Sequence, residues 1–227
     1  MNVKGKNVSD NTYLFWTAGL DSTYRLLHLL FLENKRVQPL YLNFDIDHIQ
    51  NKTRQRSIET NRLNLLWLHI YKKLGGNSDR LLPIKYIKPF QLSPEIAEVS
   101  YHLYERDGIR RSKTQFSYCL EWAYRNKIYI ENSTLATDKL ANELDWLTQS
   151  YSKYVYLTFP LKHFGKCELL VLASHPSRNW QTILSKTVSC WYHDKPVNEC
   201  VQCKNRLAYI TMSEKYRSVI SELNKRV

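Results

Sequence analysis

Short runs rich in aromatic and β-branched residues alternate with longer runs of helical period, and this alternation most limits what the chain can fold into. Thr12 to Trp16, Val37 to Phe44, Leu81 to Ile87, Lys127 to Glu131 and Tyr154 to Phe159 read as strands. Ser22 to Glu33, Gln55 to Leu74, Pro94 to Arg106, Lys113 to Asn126 and Lys166 to Ser174 read as helices, and a last helix starts near Leu207. Ser22 to Glu33 is apolar on most faces and is expected to be buried. In Gln55 to Leu74 the apolar positions are Ile58, Leu65, Leu66, Leu68 and Ile70, set among charges. Such an order predicts an α/β fold with a parallel five-stranded sheet and, by the right-handed crossover rule, helices on both faces. Ligands in sheets of this kind bind outside the carboxyl ends of the strands. The turn Thr17 to Ser22 must lie there, because it joins the first strand to the first helix.

The chain of 227 residues is long enough for one domain with a substantial core, and 43% apolar residues mark a globular composition. The longest apolar run, Leu26 to Leu32, is interrupted by His28 and is too short to span a bilayer. Met1 to Asn11 is polar and lacks the apolar stretch of a signal peptide, so the expected location is the cytoplasm, with no membrane partner. The formal charge of +12 points to an anionic partner, for which ATP, a small carboxylate or a nucleic acid all qualify, beside the plainer reading of a basic soluble surface.

Phe15-Trp16-Thr17-Ala18-Gly19-Leu20-Asp21-Ser22-Thr23 places small and hydroxyl residues where a strand turns into a helix. The unpaired amides and positive dipole end of that helix suit a phosphate. Gly19 lets the backbone approach an anion closely, and Thr17, Ser22 and Thr23 carry hydroxyl donors. These residues fit equally well a plain capped helix start with Asp21 or Ser22 as N-cap.

Three of the five cysteines, Cys190, Cys200 and Cys203, crowd into one polar C-terminal stretch, whereas Cys119 and Cys167 sit in apolar helical contexts and read as core residues. A C-x-x-C pair aims two thiolates at one ion; Cys190 supplies a third ligand, and His193 is placed to be the fourth. Zinc is the favoured reading over unligated thiols or a redox pair.

Thr17-Ala18-Gly19-Leu20-Asp21-Ser22 resembles the S-G-G-x-D-S loop of PP-loop ATP pyrophosphatases, and Thr187-Val188-Ser189-Cys190 with Cys200-Val201-Gln202-Cys203 and Arg206 resembles the C-terminal pattern of the 7-cyano-7-deazaguanine synthase family. The resemblance spans most of the chain and is sharp at its two ends. It implies an adenine nucleotide alpha-hydrolase-like fold over residues 1–180, followed by a small cysteine-rich zinc-binding segment and helix over 181–227. It also implies ATP and Mg²⁺ as cofactors, with 7-carboxy-7-deazaguanine and ammonia as substrates. Thr17, Ala18, Gly19, Leu20, Asp21, Ser22, Thr23 and Asp45 would bind the nucleotide, and Asp21, Ser22 and Lys166 would serve catalysis. Phe159-Pro160-Leu161 followed by Lys166-Cys167-Glu168-Leu169 looks like a further family segment. Arg54, Arg56 and Glu59, and Arg110, Arg111 and Lys113, match by position alone, and a solvated helix surface accounts for most of them.

Three departures stand out. Thr17 keeps the hydroxyl of the family's serine. Ala18 replaces a glycine, which is free of strain only if φ there is negative. Val197 stands where the family has its second cysteine, which excludes a four-cysteine site and leaves His193 or Asp194 to complete the zinc shell. These changes keep two alternatives in view: a PP-loop enzyme with another acceptor, such as a macromolecule or a tRNA base, and a silent nucleotide- or nucleic-acid-binding relative. Nucleic acid is a possible but less favoured partner, and a homodimer is compatible with the sequence.

Overall fold

A computed structural model describes residues 11–42, 52–76, 78–88, 90–107, 115–175, 178 and 180–187. Its centre is a sheet of five parallel strands in the order β3-β2-β1-β4-β5: β1 (Asn11–Phe15), β2 (Arg36–Leu42), β3 (Lys85–Ile87), β4 (Ile130–Glu131) and β5 (Leu157–Thr158). The helices are α1 (Leu20–Phe31), α2 (Lys52–Lys73), α3 (Pro94–Asp107), α4 (Gln115–Asn126), α5 (Leu144–Ser150), α6 (Lys166–Ala173) and α7 (Gln181–Leu184), with a 3-10 helix at Lys139–Glu143.

Side chains alternate across each strand, and this divides the core into two layers. Leu14 and Trp16, with Val37 and Tyr41, pack on one face against Leu26, Leu27, Leu30, Leu63, Leu66, Ile70 and Leu169 of α1, α2 and α6. Phe15, with Leu40 and Leu42, packs on the other face against Ile96, Val99, Leu120 and Leu147 of α3, α4 and α5. Helices therefore cover both faces of the sheet, as expected for parallel strands. In α2 the buried stripe is Leu63, Leu66 and Ile70, at helical spacing, whereas Leu65 and Leu68 face solvent.

The strand order reverses between β1 and β4. Crossovers β1-α1-β2-α2-β3 run to one side, and the chain then returns to place β4 on the other side of β1. The carboxyl ends of β1 and β4 thus diverge and open a crevice, the usual ligand position of such sheets. This arrangement is that of a doubly wound parallel α/β sheet.

Several boundaries differ from the sequence reading, each for a local reason. Leu81 makes only an isolated bridge to Val37, and β3 begins at Lys85, because Pro83 has no N–H to give a ladder. Lys127 was expected in β4 but adopts φ 53, and ends α4 in a left-handed cap that lets the Ile128 amide donate to the Ala123 carbonyl at 3.2 Å. The 3-10 helix and α5 were not anticipated. α3 begins at Pro94 as read, and the Ser93 hydroxyl before it accepts from the Ile96 amide at 3.4 Å. Cys119 is buried in the core, where desolvation pushes its thiol up to about 12; Cys167 is only half-buried. The last helix, residues 43–44 of the second strand reading and the C-terminal cysteines lie outside the described residues.

One ion pair fixes α1 to the sheet. Arg25, 7% exposed, donates to both carboxylate oxygens of Glu131 on β4 at 2.6 and 2.8 Å, and to Glu33 at 2.5 Å. Removing one partner of a buried pair strands the other charge without compensation. Arg25→Ala is expected to destabilise the protein by about 3 kcal/mol. Urea unfolding checks this, and an Arg25→Met, Glu131→Leu double variant should recover most of the loss.

Candidate functional site

β1 ends at Phe15 and α1 begins at Leu20, so four residues make the turn. Trp16 is wholly buried, and its indole N–H donates to the Thr23 hydroxyl at 3.0 Å, which ties the end of the strand to the first turn of the helix. Thr23 is fully buried by that contact, and its hydroxyl, expected to meet a phosphate, serves the turn instead.

Gly19 is the N-cap of α1, in extended conformation at φ −69 and ψ 163, and no side chain caps the helix. The plain capped start, with Asp21 or Ser22 as N-cap, is therefore not what forms. The Ser22 hydroxyl turns back towards the loop, lying 3.3 Å from both the Thr17 amide and the Thr17 hydroxyl, and 3.4 Å from the Gly19 carbonyl. The Thr23 amide closes the first bond of the helix to the Gly19 carbonyl at 3.0 Å. The amides of Leu20, Asp21 and Ser22 precede that bond, and among the described residues they donate to no acceptor.

The left-handed position of the loop belongs to Ala18, at φ 57, and its methyl is fully buried. An L-residue there costs on the order of 1–2 kcal/mol. The sequence condition for an unstrained alanine is thus not met, and the loop holds its shape against that cost.

Asp21 points into the crevice and meets Lys166, the first residue of α6, with Nζ 3.4 Å from Oδ2. Glu168 fixes the start of α6, its carboxylate accepting the Gly165 N–H at 2.5 Å, and so sets where Lys166 stands. Burial pushes the Asp21 carboxyl up to about 6; Lys166 pulls it down, and the Asp138 carboxylate adds to the rise. The Asp21 Oδ1 atom is buried without a hydrogen-bond partner.

The opposite wall comes from the loop after β4. Asn132 Oδ1 accepts from the Thr134 amide at 3.1 Å and the Thr134 hydroxyl at 2.7 Å, and Asp138 accepts the Leu135 amide at 2.7 Å. The Ser133 hydroxyl is buried and unpaired. Together the walls enclose a pocket of about 320 Å³, lined by Thr17, Gly19, Asp21 and Ser22 on one side and Asn132, Ser133, Thr134 and Asp138 on the other, with Phe15, Phe116 and Leu140 as apolar surface.

The structure thus brings Thr17, Gly19, Asp21, Ser22 and Lys166 to one crevice. Ala18 and Leu20 are buried and can offer only backbone. Asp45, Cys190, His193, Cys200 and Cys203, together with Asp194, Arg110, Arg111 and Lys113, lie outside the described residues, as do the side chains of Arg54, Arg56 and Glu59. No group of three or more metal-ligating side chains occurs among the described residues, and none of the described helices is long and apolar enough to cross a membrane. The sequence reading missed Asn132, Ser133, Thr134 and Asp138. Their signal was a polar run directly after a short strand, where a switch point demands ligand contacts.

No protein-family model matches the chain, and no curated protein matches it either. Among solved structures, a predicted subunit of tRNA methyltransferase from Methanocaldococcus jannaschii is similar at 18% identity and a TM-score of 0.40, over 72% of this chain and 74% of that one. A likeness this loose bears on neither activity nor substrate.

The Asp21 carboxyl has a direct consequence for stability. Its ordinary value is 3.8 and its folded value about 6, so the folded chain holds this proton more tightly than the unfolded chain. The resulting contribution is fully present below about pH 4 and is lost as the pH rises through about 6. Asp21→Asn removes that dependence. The variant is expected to exceed the parent in stability by about 3 kcal/mol at pH 8 and to match it near pH 4, as read by thermal unfolding at both pH values.

Proposed function

We propose that the chain cleaves ATP between its α- and β-phosphates and passes the adenylate to a carboxylate, as 7-cyano-7-deazaguanine synthases do. The observation that carries this reading is the uncapped start of α1. Gly19, Asp21 and Ser22, at a helix start that no side chain caps, line a pocket at the switch point of the sheet, and the ammonium of Lys166 stands beside Asp21. A helix start of this kind favours an anion through both its N–H groups and its dipole.

Pyrophosphate leaving from ATP would take the amides of Leu20, Asp21 and Ser22, with hydroxyl bonds from Thr17 and Ser22. Lys166 would balance the charge that develops on it. The residues also fit a Mg²⁺ ion: Asp21 Oδ1 is buried and unpaired, and Asp138 lies near enough to raise the Asp21 value. Such an ion would neutralise phosphate oxygens.

The acceptor in this reading is 7-carboxy-7-deazaguanine. Its carboxylate oxygen attacks the α-phosphorus and pyrophosphate departs, leaving an acyl-adenylate. Ammonia then attacks the acyl carbon and AMP departs, giving an amide, and a second adenylation of the amide oxygen with loss of AMP leaves the nitrile. Phe15, Phe116 and Leu140 offer apolar surface to a flat ring, and Asn132, Ser133 and Thr134 offer polar groups to its edge. Catalysis of this kind rests on placement and charge, and needs no covalent intermediate on the protein.

Supplied with ATP, Mg²⁺, 7-carboxy-7-deazaguanine and ammonium, the protein is expected to release AMP and pyrophosphate in equal amounts, resolved by anion-exchange chromatography. Lys166→Ala should lower kcat on the order of a hundredfold. Release of ADP and phosphate would overturn the reading.

For the C-terminal segment we propose a structural zinc held by Cys190, Cys200, Cys203 and His193. Such a site contributes folding free energy. Metal analysis of the purified protein is expected to find stoichiometric zinc that Cys203→Ser abolishes; zinc-free protein with unchanged thermal stability would exclude it.

A further inference from the structure

At the edge of the sheet opposite the nucleotide crevice, four tyrosines meet. Tyr124 closes α4, Tyr129 precedes β4, and Tyr154 and Tyr156 precede β5. Their rings form a row: Tyr129 to Tyr156 at 5.2 Å between centroids, Tyr156 to Tyr124 at 6.4 Å, and Tyr124 to Tyr154 at 5.3 Å. Tyr129 is 63% exposed, the most open of the large apolar side chains among the described residues.

Cations are interleaved with the row. Lys127 Nζ stands 3.6 Å from the Tyr124 centroid and 5.1 Å from that of Tyr156, and Lys153 Nζ stands 5.6 Å from that of Tyr154. The left-handed backbone of Lys127, at φ 53, turns its side chain onto the rings. Between residues 124 and 130, and between 151 and 158, the sequence holds no acidic residue. Glu131, the next in line, is held by Arg25. Among the described residues neither lysine pairs with a carboxylate, so each remains open to an anion from outside.

We propose that this row is a binding platform for single-stranded polynucleotide, with a base stacked on the exposed ring of Tyr129, which the half-buried Tyr124, Tyr154 and Tyr156 support, and the phosphate backbone tracked by Lys127 and Lys153. Aromatic faces interleaved with cations are what a single strand needs, because every base has a π-face and every linkage a charge. A protein partner of acidic character would use the lysines but would leave the ring faces without stacking groups. The excess of positive charge over the whole chain, +12, favours the same class of partner. The platform lies away from the α1 loop, so it stands or falls independently of ATP cleavage.

Fluorescence anisotropy with labelled oligo-uridylate and oligo-thymidylate tests it, with inorganic polyphosphate and an oligo-glutamate peptide as competitors. Either oligonucleotide is expected to bind with an affinity that falls as salt rises. Tyr129→Ala should weaken binding about tenfold and Tyr129→Phe should leave it close to the parent, since a phenyl ring still stacks. Lys127→Ala with Lys153→Ala should flatten the salt dependence. The exposure of Tyr129 leaves the fold intact in its variants, as an unchanged melting temperature would show, and ATP turnover should also be unaffected. The proposal is overturned if Tyr129→Ala binds as the parent does, if polyphosphate competes as well as oligonucleotide of equal charge, or if oligo-glutamate binds more tightly.

Discussion

A helix buried on nearly every side still has to answer for the amides of its first turn, and in α1 that requirement organises the rest of the structure. Elsewhere in the protein the same need is met locally, by the Ser93 hydroxyl at the start of α3 and by the Glu168 carboxylate at the start of α6. At α1 the N-cap is a glycine with no side chain to offer, and the Ser22 hydroxyl folds back onto Thr17 instead of capping. The amides are left facing a pocket, at the point where the strand order reverses. A buried donor without an acceptor is costly, so a start of this kind persists where an anion or water completes it.

The surrounding core holds the loop in that shape. Ala18 occupies a left-handed conformation that alanine resists, and its methyl is shut in by the layer that contains Leu14, Trp16 and Leu26. The Trp16 indole bonds Thr23 across the turn, so strand end and helix start cannot separate to relax the strain. Strain concentrated at one residue and over-determined by its neighbours is the usual condition of a binding loop. The methyl at residue 18 also does work that a glycine could not: it fills core volume beneath the turn.

How far the sequence foretold this depends on how local each cause is. The alternation of strands and helices was legible because α1 and the inner strands are largely apolar, and the start of α3 was legible at Pro94. The beginning of β4 was misread because Lys127 leaves the β region to cap α4, a choice no pattern of hydrophobicity records. The 3-10 helix and α5 were missed because they are short, and Asp138 precedes the first without a side-chain cap. Thr17, Asp21, Ser22 and Lys166 were read from the chain, but the far wall, Asn132 to Thr134 with Asp138, becomes a site only when β4 is placed beside β1. Strand order is a property of packing, and the two residues of β4 carry no periodicity that would reveal it.

Asp21 shows why the two walls must be considered together. An isolated aspartate at a helix start is stabilised in its charged form by the dipole, yet here burial dominates, and Asp138 on the opposite wall adds like charge. Lys166, at 3.4 Å, offsets this only in part, and it leaves Oδ1 with no donor. The arrangement is therefore electrostatically incomplete in the protein alone. A positive group entering between the walls would satisfy Oδ1, separate the two carboxylates and draw the Asp21 value back towards that of a free carboxylate. A phosphate on the α1 amides would in turn hold Lys166. An anion at the start of α1 and a cation between the two carboxylates would thus each satisfy groups that the protein alone leaves incomplete.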